Sequence, residues 1–351
     1  MIRFTEISKE TEYVRQNTDF DERLNELLIG GNYTCGPYVK LFEDKIVERL
    51  SKFTDKKLYC VGVSSGTKAL EMAIYYRYKK YYGSGKVIPI PNMTFFATCE
   101  AVLNAGLIPY ICDIKLNGQM IPNEYGVVVS LHGLPYQSEY SENFLVIEDN
   151  CQCGPNHFNK NCYASCYSLF PSKPIGTCAD GGYIVTIHED LANYCRLNRY
   201  HGIDFTKDRR MANLIGGTNR LTEISALFAI KKLEQYDNLQ FNRLAKAYQY
   251  CEELNLKYNK NHYYHIFNVF VKDRNSLCEK LNNEDIEWSL HYNYSIEDQL
   301  RSCGYKDIMI ADVPDSNWFK NHCLSLPLNS FLEHEEINKI CNIVKPFLTK
   351  V

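Results

Sequence analysis

Residues 144–186 read FLVIEDNCQCGPNHFNKNCYASCYSLFPSKPIGTCADGGYIVT. Three apolar runs stand out: FLVI at 144–147, YASCYSLF at 163–170 and YIVTI at 183–187, separated by polar turns bearing glycine and proline. Near-continuous runs of this kind suit strands covered on both faces, as in a mostly parallel sheet between helices. Each run borders residues with chemistry. Glu148-Asp149-Asn150 follows the first, at the strand end where open α/β sheets build their sites. Pro171-Ser172-Lys173-Pro174 follows the second, and Asp180-Gly181-Gly182 precedes the third. Taken singly, each has a bland reading as a solvated turn or an exposed strand end. Lys173 is either such an exposed end or a desolvated amine able to form a Schiff base.

Upstream, Ser64-Ser65-Gly66-Thr67 opens a helical stripe of Ala69, Leu70, Ala73 and Ile74. This start is a plain N-cap or an anion cradle made of free N–H groups and the positive helix end. Val87–Ile90 reads as a buried strand closed by Pro91, Thr94–Ala105 as a helix stopped by Gly106, and Leu107–Ile114 and Gly126–Leu131 as further strands. Downstream, Thr222–Leu254 is a long helix with Ile224, Leu227, Phe228, Ile230 and Leu233 on its apolar side. Beyond it the pattern shortens to an α+β set: His262–Val271, a helix near Ser276–Asn282, and a last helix over Glu335–Lys345 stopped by Pro346. The expectation is an α/β fold with a large domain over 1–250 and a smaller C-terminal α+β domain over 251–351.

The 351 residues, 45% hydrophobic and 23% charged, have globular composition. A net charge of -3 gives no bulk pull toward nucleic acid or an anionic membrane surface. No apolar run approaches the length of a membrane span. The start, MIRFTEISKETEYVRQN, lacks the apolar core of a signal peptide, and fifteen cysteines are an odd count, so reduced thiols in the cytoplasm are expected. Cys151, Cys153, Cys162 and Cys166 lack the paired knuckles of a zinc site, so no metal is expected.

In chain order the features are a phosphate cradle, a strand-end carboxylate, a strand-end lysine and a pair of glycines. Pyridoxal 5′-phosphate needs such a set: an amine for its aldehyde, a carboxylate for its pyridine nitrogen, a helix N-terminus for its phosphate. Over about residues 32–328 the sequence resembles the DegT/DnrJ/EryC1/StrS family of sugar aminotransferases. The stretches that carry the resemblance are NYTCGPYVKLFE (32–43), VGVSSGTKAL (61–70), IPIPNMTFFATCEAVLNAGLIPYICDI (88–114), SLHGLP (130–135), IEDNCQ (147–152), YSLFPSKPIGTCADGGYIVT (167–186), RYHG (199–202) and LSLPL (324–328). IEDNCQ followed by SLFPSK at the family's spacing is the most specific.

The resemblance implies a fold-type I transferase, whose large domain holds a mostly parallel seven-stranded sheet. It makes Lys173 the Schiff-base lysine and proton shuttle, Asp149 the partner of the pyridine nitrogen, and Gln152 a contact on the 3-oxygen side. Ser168 would hold phosphate with the amides of Gly66, Thr67 and Lys68, and Phe95 would stack on the ring. His291 and Tyr292 resemble an H-Y pair near the substrate. A lysine at position 173, where related sugar dehydratases carry histidine, points to transamination. Two departures stand out. Thr218 occupies the place of an asparagine that reaches the neighbouring subunit's phosphate, with Asn219 one residue later, and Ala179 stands where a subgroup has glycine. The implied enzyme is a homodimer with shared active sites that moves an amino group from L-glutamate to a UDP- or dTDP-linked 4-keto-6-deoxy sugar, giving a 4-amino sugar such as viosamine. A 3-keto-sugar aminotransferase is the alternative, followed by cysteine-sulfur transfer or a cofactor-binding protein without catalysis.

Overall fold

The computed structural model describes residues 1–120, 125–136, 145–204, 207 and 211–349. Ten strands occur among them: β1 (Tyr59–Val63), β2 (Val87–Pro91), β3 (Ile108–Cys112), β4 (Tyr125–Val129), β5 (Leu145–Asp149), β6 (Ala164–Ser168), β7 (Gly182–Thr186), β8 (Phe267–Phe270), β9 (Met309–Ile310) and β10 (Cys323–Leu326). The chain opens with α1 (Ile7–Asn17), α2 (Phe20–Gly30) and α3 (Pro37–Leu50). Then come α4 (Gly66–Ile74), running through a wide turn at Tyr75–Lys79 into α5 (Lys80–Tyr82), α6 (Ala97–Asn104), α7 (Glu189–Asn198) and α8 (Glu223–Leu254). The last are α9 (Arg274–Asn283), α10 (Ile296–Ser302), α11 (Pro314–His322) and α12 (His334–Val344).

Strands β4, β5 and β6 pair in parallel, β7 runs antiparallel to both β6 and β1, and β2 and β3 form a second parallel ladder that β9 extends. The ladders meet where β2 lies against β4. There the hydrogen bonding is interrupted, because Pro89 in the middle of β2 has no N–H to give. The gap is closed by contact: a Cβ on Gly126 would stand 2.5 Å from the Pro89 carbonyl oxygen. The seven strands of the large layer thus lie in the order β3-β2-β4-β5-β6-β7-β1, α/β and mostly parallel as the sequence implies, but as two hydrogen-bonded sheets. Within β5, Ile147 faces the core that takes α4 and α6 while Val146 faces another. That two-sided burial is why the run reads as continuously apolar. Phe144, where the sequence reading starts this strand, lies outside the described residues.

The helix expected over Thr94–Ala105 begins only at Ala97. The chain before it is held in place by α10, since Asn92 accepts from Ile296 N at its carbonyl (2.8 Å) and from Glu297 N at Oδ1 (3.1 Å). Helix α8 serves two cores: Ala226, Ile230 and Tyr236 pack under α3, while Ala247, Tyr250 and Leu254 enter the core built on β8, β10, α9 and α12. Residue 250 falls within this helix. Ile2 joins the C-terminal core, and Ile296 and Leu300 of α10 join the large one. All fifteen cysteines are free thiols and ten are buried. Burial pushes the thiols of Cys60, Cys153, Cys162 and Cys166 well above their ordinary range. No helix among the described residues is long and apolar enough to cross a membrane.

Candidate active site

A cavity of about 400 Å³ opens at the C-terminal ends of β4, β5 and β6, and the C-terminal segment and the first turns of the chain close it. Ser65, Gly66, Thr67, Phe95, Asp149, Gln152, Ser168, Lys173, His291 and Tyr292 all line it. Its floor is the start of α4. Ser65 is the N-cap, and its Oγ accepts from Lys68 N at 3.1 Å. Among the described residues the amides of Gly66 and Thr67 have no partner, as expected for the first turn of a helix. Lys68 departs from the expectation: Ser65 takes its amide, Glu71 Oε1 takes its amine at 2.7 Å, and it does not line the cavity.

Two glycines let three elements meet here. A Cβ on Gly66 would stand 2.9 Å from Ser168 Cβ and 2.9 Å from Cys151 Sγ, and one on Gly182 only 2.4 Å from the Ser65 carbonyl carbon. The β6 end, the β7 start and the α4 start therefore form one shell around the free amides. The D-G-G glycines thus serve close backbone approach and not merely a solvated turn.

Asp149 ends β5, is 6% exposed, and accepts from two donors: Thr98 Oγ1 at 2.7 Å on Oδ2 and Cys151 N at 3.2 Å on Oδ1. Thr98 is steadied in turn by Thr94 Oγ1 at 3.0 Å. The Lys173 side chain forms no hydrogen bond or ion pair among the described residues, although its backbone is held by Phe170 O and Gly176 N. Phe95 is 59% exposed and so is not a core aromatic. Its ring forms a wall with Tyr292, centroids 6.3 Å apart.

Gln152 connects the two cores across the site. Its Nε2 donates to Tyr292 Oη at 2.8 Å and its Oε1 accepts from His132 N. Asn268 Nδ2 lies 2.6 Å from His132 Nδ1, which leaves Nε2–H to donate to His291 O at 3.0 Å. Ser325 Oγ donates to Asn268 Oδ1 and lies 2.9 Å from His291 Nδ1. Burial pushes His132 well below the ordinary histidine range, in keeping with this neutral tautomer. Burial, followed by the charge of Lys173, lowers His291 to about 4.

Thr218 and Asn219 are not brought into this cavity. Thr218 Oγ1 lies 3.0 Å from His201 Nε2, and Asn219 Nδ2 donates to Asn198 Oδ1 at 3.2 Å. The loop nevertheless docks beside the cradle, since Ser64 N donates to Asn219 O at 2.9 Å. The sequence reading missed Thr98, His132, Arg243 and His265. Arg243 left a signal: with Tyr236, Gln240, Ala247, Tyr250 and Leu254 it shares the buried stripe of α8, an unusual place for a charge. Thr98 sat one helical turn after Thr94, but nothing in the sequence alone tied it to Asp149.

A sequence model of the DegT/DnrJ/EryC1/StrS aminotransferase family matches residues 15–125 and 138–345. The UDP-2-acetamido-2-deoxy-3-oxo-D-glucuronate aminotransferase of Pseudomonas aeruginosa is 28% identical, the match covering 97% of this chain and 99% of that one. The 3-oxo-glucose-6-phosphate:glutamate aminotransferase of Bacillus subtilis is 27% identical over 92% of this chain and 78% of its own. A crystal structure of a DegT DnrJ EryC1 StrS aminotransferase from Brucella abortus superposes with a TM-score of 0.84 at 22% identity, covering 99% of both chains. At that identity the likeness shows the fold.

Proposed function

We propose, because the chain belongs to the DegT/DnrJ/EryC1/StrS aminotransferase family, that it moves the amino group of L-glutamate to a nucleotide-linked keto sugar. It is a sugar aminotransferase, and its cofactor is pyridoxal 5′-phosphate. The residues present fit that group: a cradle that a Cβ on Gly66 would fill, two unpartnered amides, a sealed carboxylate and an unpartnered lysine in one cavity. That convergence carries the reading.

Gly66, Thr67 and Ser168 would hold the phosphate, Asp149 the ring nitrogen, Gln152 the 3-oxygen side and Phe95 a face of the ring. Lys173 would hold the aldehyde carbon. When bound, the group supplies an electron sink for the carbanion formed as a proton leaves the amino-bearing carbon. Lys173 Nζ takes that proton from the α-carbon of the donor, and in the return half gives a proton to the sugar carbon that receives the amine. Asp149 keeps its negative charge directed at one place, because Thr98 and Cys151 N fix both of its oxygens. Tyr292 and Phe95 shield the reacting atoms from water. The thiol of Cys151, the cysteine in the cavity wall, is pushed well above its ordinary range by burial and then by Asp149, which disfavours cysteine-sulfur chemistry there.

Both relatives named above are 3-oxo-sugar aminotransferases, which favours a 3-keto acceptor over the 4-keto-6-deoxy sugar that would yield viosamine. The test is a half-reaction. Glutamate added to the yellow holoenzyme should bleach it with release of 2-oxoglutarate, and a 3-keto or 4-keto sugar nucleotide should restore the colour. Borohydride reduction and peptide mapping should place the pyridoxyl label on Lys173. No bleaching with any amino acid, or label on another lysine, would refute the reading.

A further inference from the structure

One cation in the cavity wall, Arg243, has no part in the roles above. Glu10 of α1 is buried and accepts from Lys232 Nζ at 2.6 Å and Arg243 Nη2 at 3.1 Å, both on α8. Burial opposes its ionisation, yet Lys232 and Arg243 together hold its carboxyl below the usual range. One carboxylate against two cations leaves one positive charge over. Arg243 is 7% exposed, Glu10 is its one acceptor among the described residues, and its Nε is buried without a partner. The Nδ1 of His265 is likewise buried and unpartnered. Arg243 and His265 line the same cavity as Lys173. Burial, then the charges of Lys173 and Arg243, push His265 well below the ordinary range, so the ring is neutral and lies in a positive field. Glu10 meets one side of this guanidinium, and the buried donor it leaves unmatched costs stability until an acceptor meets it. The planar fork of arginine matches a carboxylate.

We infer that Arg243 and His265 form a carboxylate subsite, which receives a carboxylate of the amino donor while the amine is at Lys173. The phosphate cradle at the start of α4 is a separate set of donors. The inference rests on the aminotransferase reading above and names where its donor is held.

The test uses holoenzyme and glutarate, a dicarboxylate with no amine to transfer. By titration calorimetry, Arg243→Gln should weaken glutarate binding about tenfold to a hundredfold. The KM for glutamate should rise by a similar factor while kcat and the KM for the keto sugar hold, and Arg243→Lys should recover part of the loss. Because Arg243→Gln also disturbs the buried cluster, His265→Ala serves as a second variant that leaves Glu10, Lys232 and Arg243 in place. It should weaken glutarate binding about threefold or more. Unchanged glutarate binding in both variants overturns the inference, as does an effect confined to the KM of the sugar nucleotide. The two proposals fail separately. If no amino acid bleaches the enzyme but glutarate binding still depends on Arg243, the aminotransferase reading falls and the carboxylate subsite stands.

Discussion

Asp149 has two oxygens and this chain supplies a donor for each, so the carboxylate cannot rotate without breaking one of them. Asp149→Asn keeps the shape but removes the charge that balances a protonated ring nitrogen. The expected loss is about a hundredfold or more in the half-reaction with glutamate, with an unchanged far-ultraviolet spectrum. Thr98→Val takes away the 2.7 Å donor, and with it the 3.0 Å bond to Thr94, but leaves the charge of the carboxylate, and should cost about tenfold. A Thr98→Val enzyme as impaired as Asp149→Asn would show that the hydroxyl does more than position. The histidines give the site a pH limit. His291 is lowered to about 4 by burial and Lys173, so the folded chain binds fewer protons than the unfolded one between roughly pH 6.5 and 4. The stability tied to its neutral ring is therefore fully present above about pH 6.5 and is lost as the pH falls toward 4, by roughly 3 kcal/mol for a group this deep. Urea midpoints measured from pH 7 to 4.5 should fall steeply for the native chain and less for His291→Gln.

At the level of elements, the cradle is a meeting of three, and a single methyl tests it. Gly66→Ala places a Cβ 2.9 Å from Ser168 Cβ, so the β6 end or the α4 start must move. Equilibrium dialysis should show cofactor affinity reduced at least tenfold while thermal unfolding of the cofactor-free chain shifts by only a few degrees. An unchanged affinity would mean that the phosphate is held elsewhere. Much of this meeting place was legible in the sequence. Strands buried on both faces declare themselves as apolar runs, and residues at their ends fall at one sheet edge by topology alone, which brings Asp149 and Lys173 together, while the family resemblance points to Ser168. Links between elements distant in sequence were not legible. His132 reads as one residue of a loop, and only the fold shows that it joins Gln152 to Asn268 and His291. Arg243 was half legible: its place on the buried stripe of α8 marks an unusual charge, but that periodicity says nothing of Glu10, 233 residues away. The helix at Ala97 starts late because Asn92 is held by α10, a tertiary contact that no local propensity encodes.

For the whole molecule, the homodimer that the resemblance implies would give the side chains of Thr218 and Asn219 a task that they do not have within one chain, where they bond to His201 and Asn198. One variant carries Lys173→Ala, and another carries bulky apolar residues at both Thr218 and Asn219. If sites are shared across a two-fold axis, a mixed dimer has one site with both lesions and one with neither, so random remixing should restore roughly a quarter of native activity. If the loop serves its own chain, mixing restores nothing. The distribution of thiols has a different consequence. Cys35, Cys178 and Cys303 are exposed, while ten others are buried, and burial pushes the thiols of nine of these, Cys60 and Cys166 among them, above their ordinary range. A brief pulse of maleimide should therefore add up to three mass increments to the native chain. The half-buried Cys151 and Cys278 come next, and each increment beyond those five must wait for a core to open, so the molecule carries its own clock of local unfolding. Run with and without cofactor, Cys166 beneath the site and Cys341 in the C-terminal core would tick at separate rates, and the ratio would show which core the cofactor steadies.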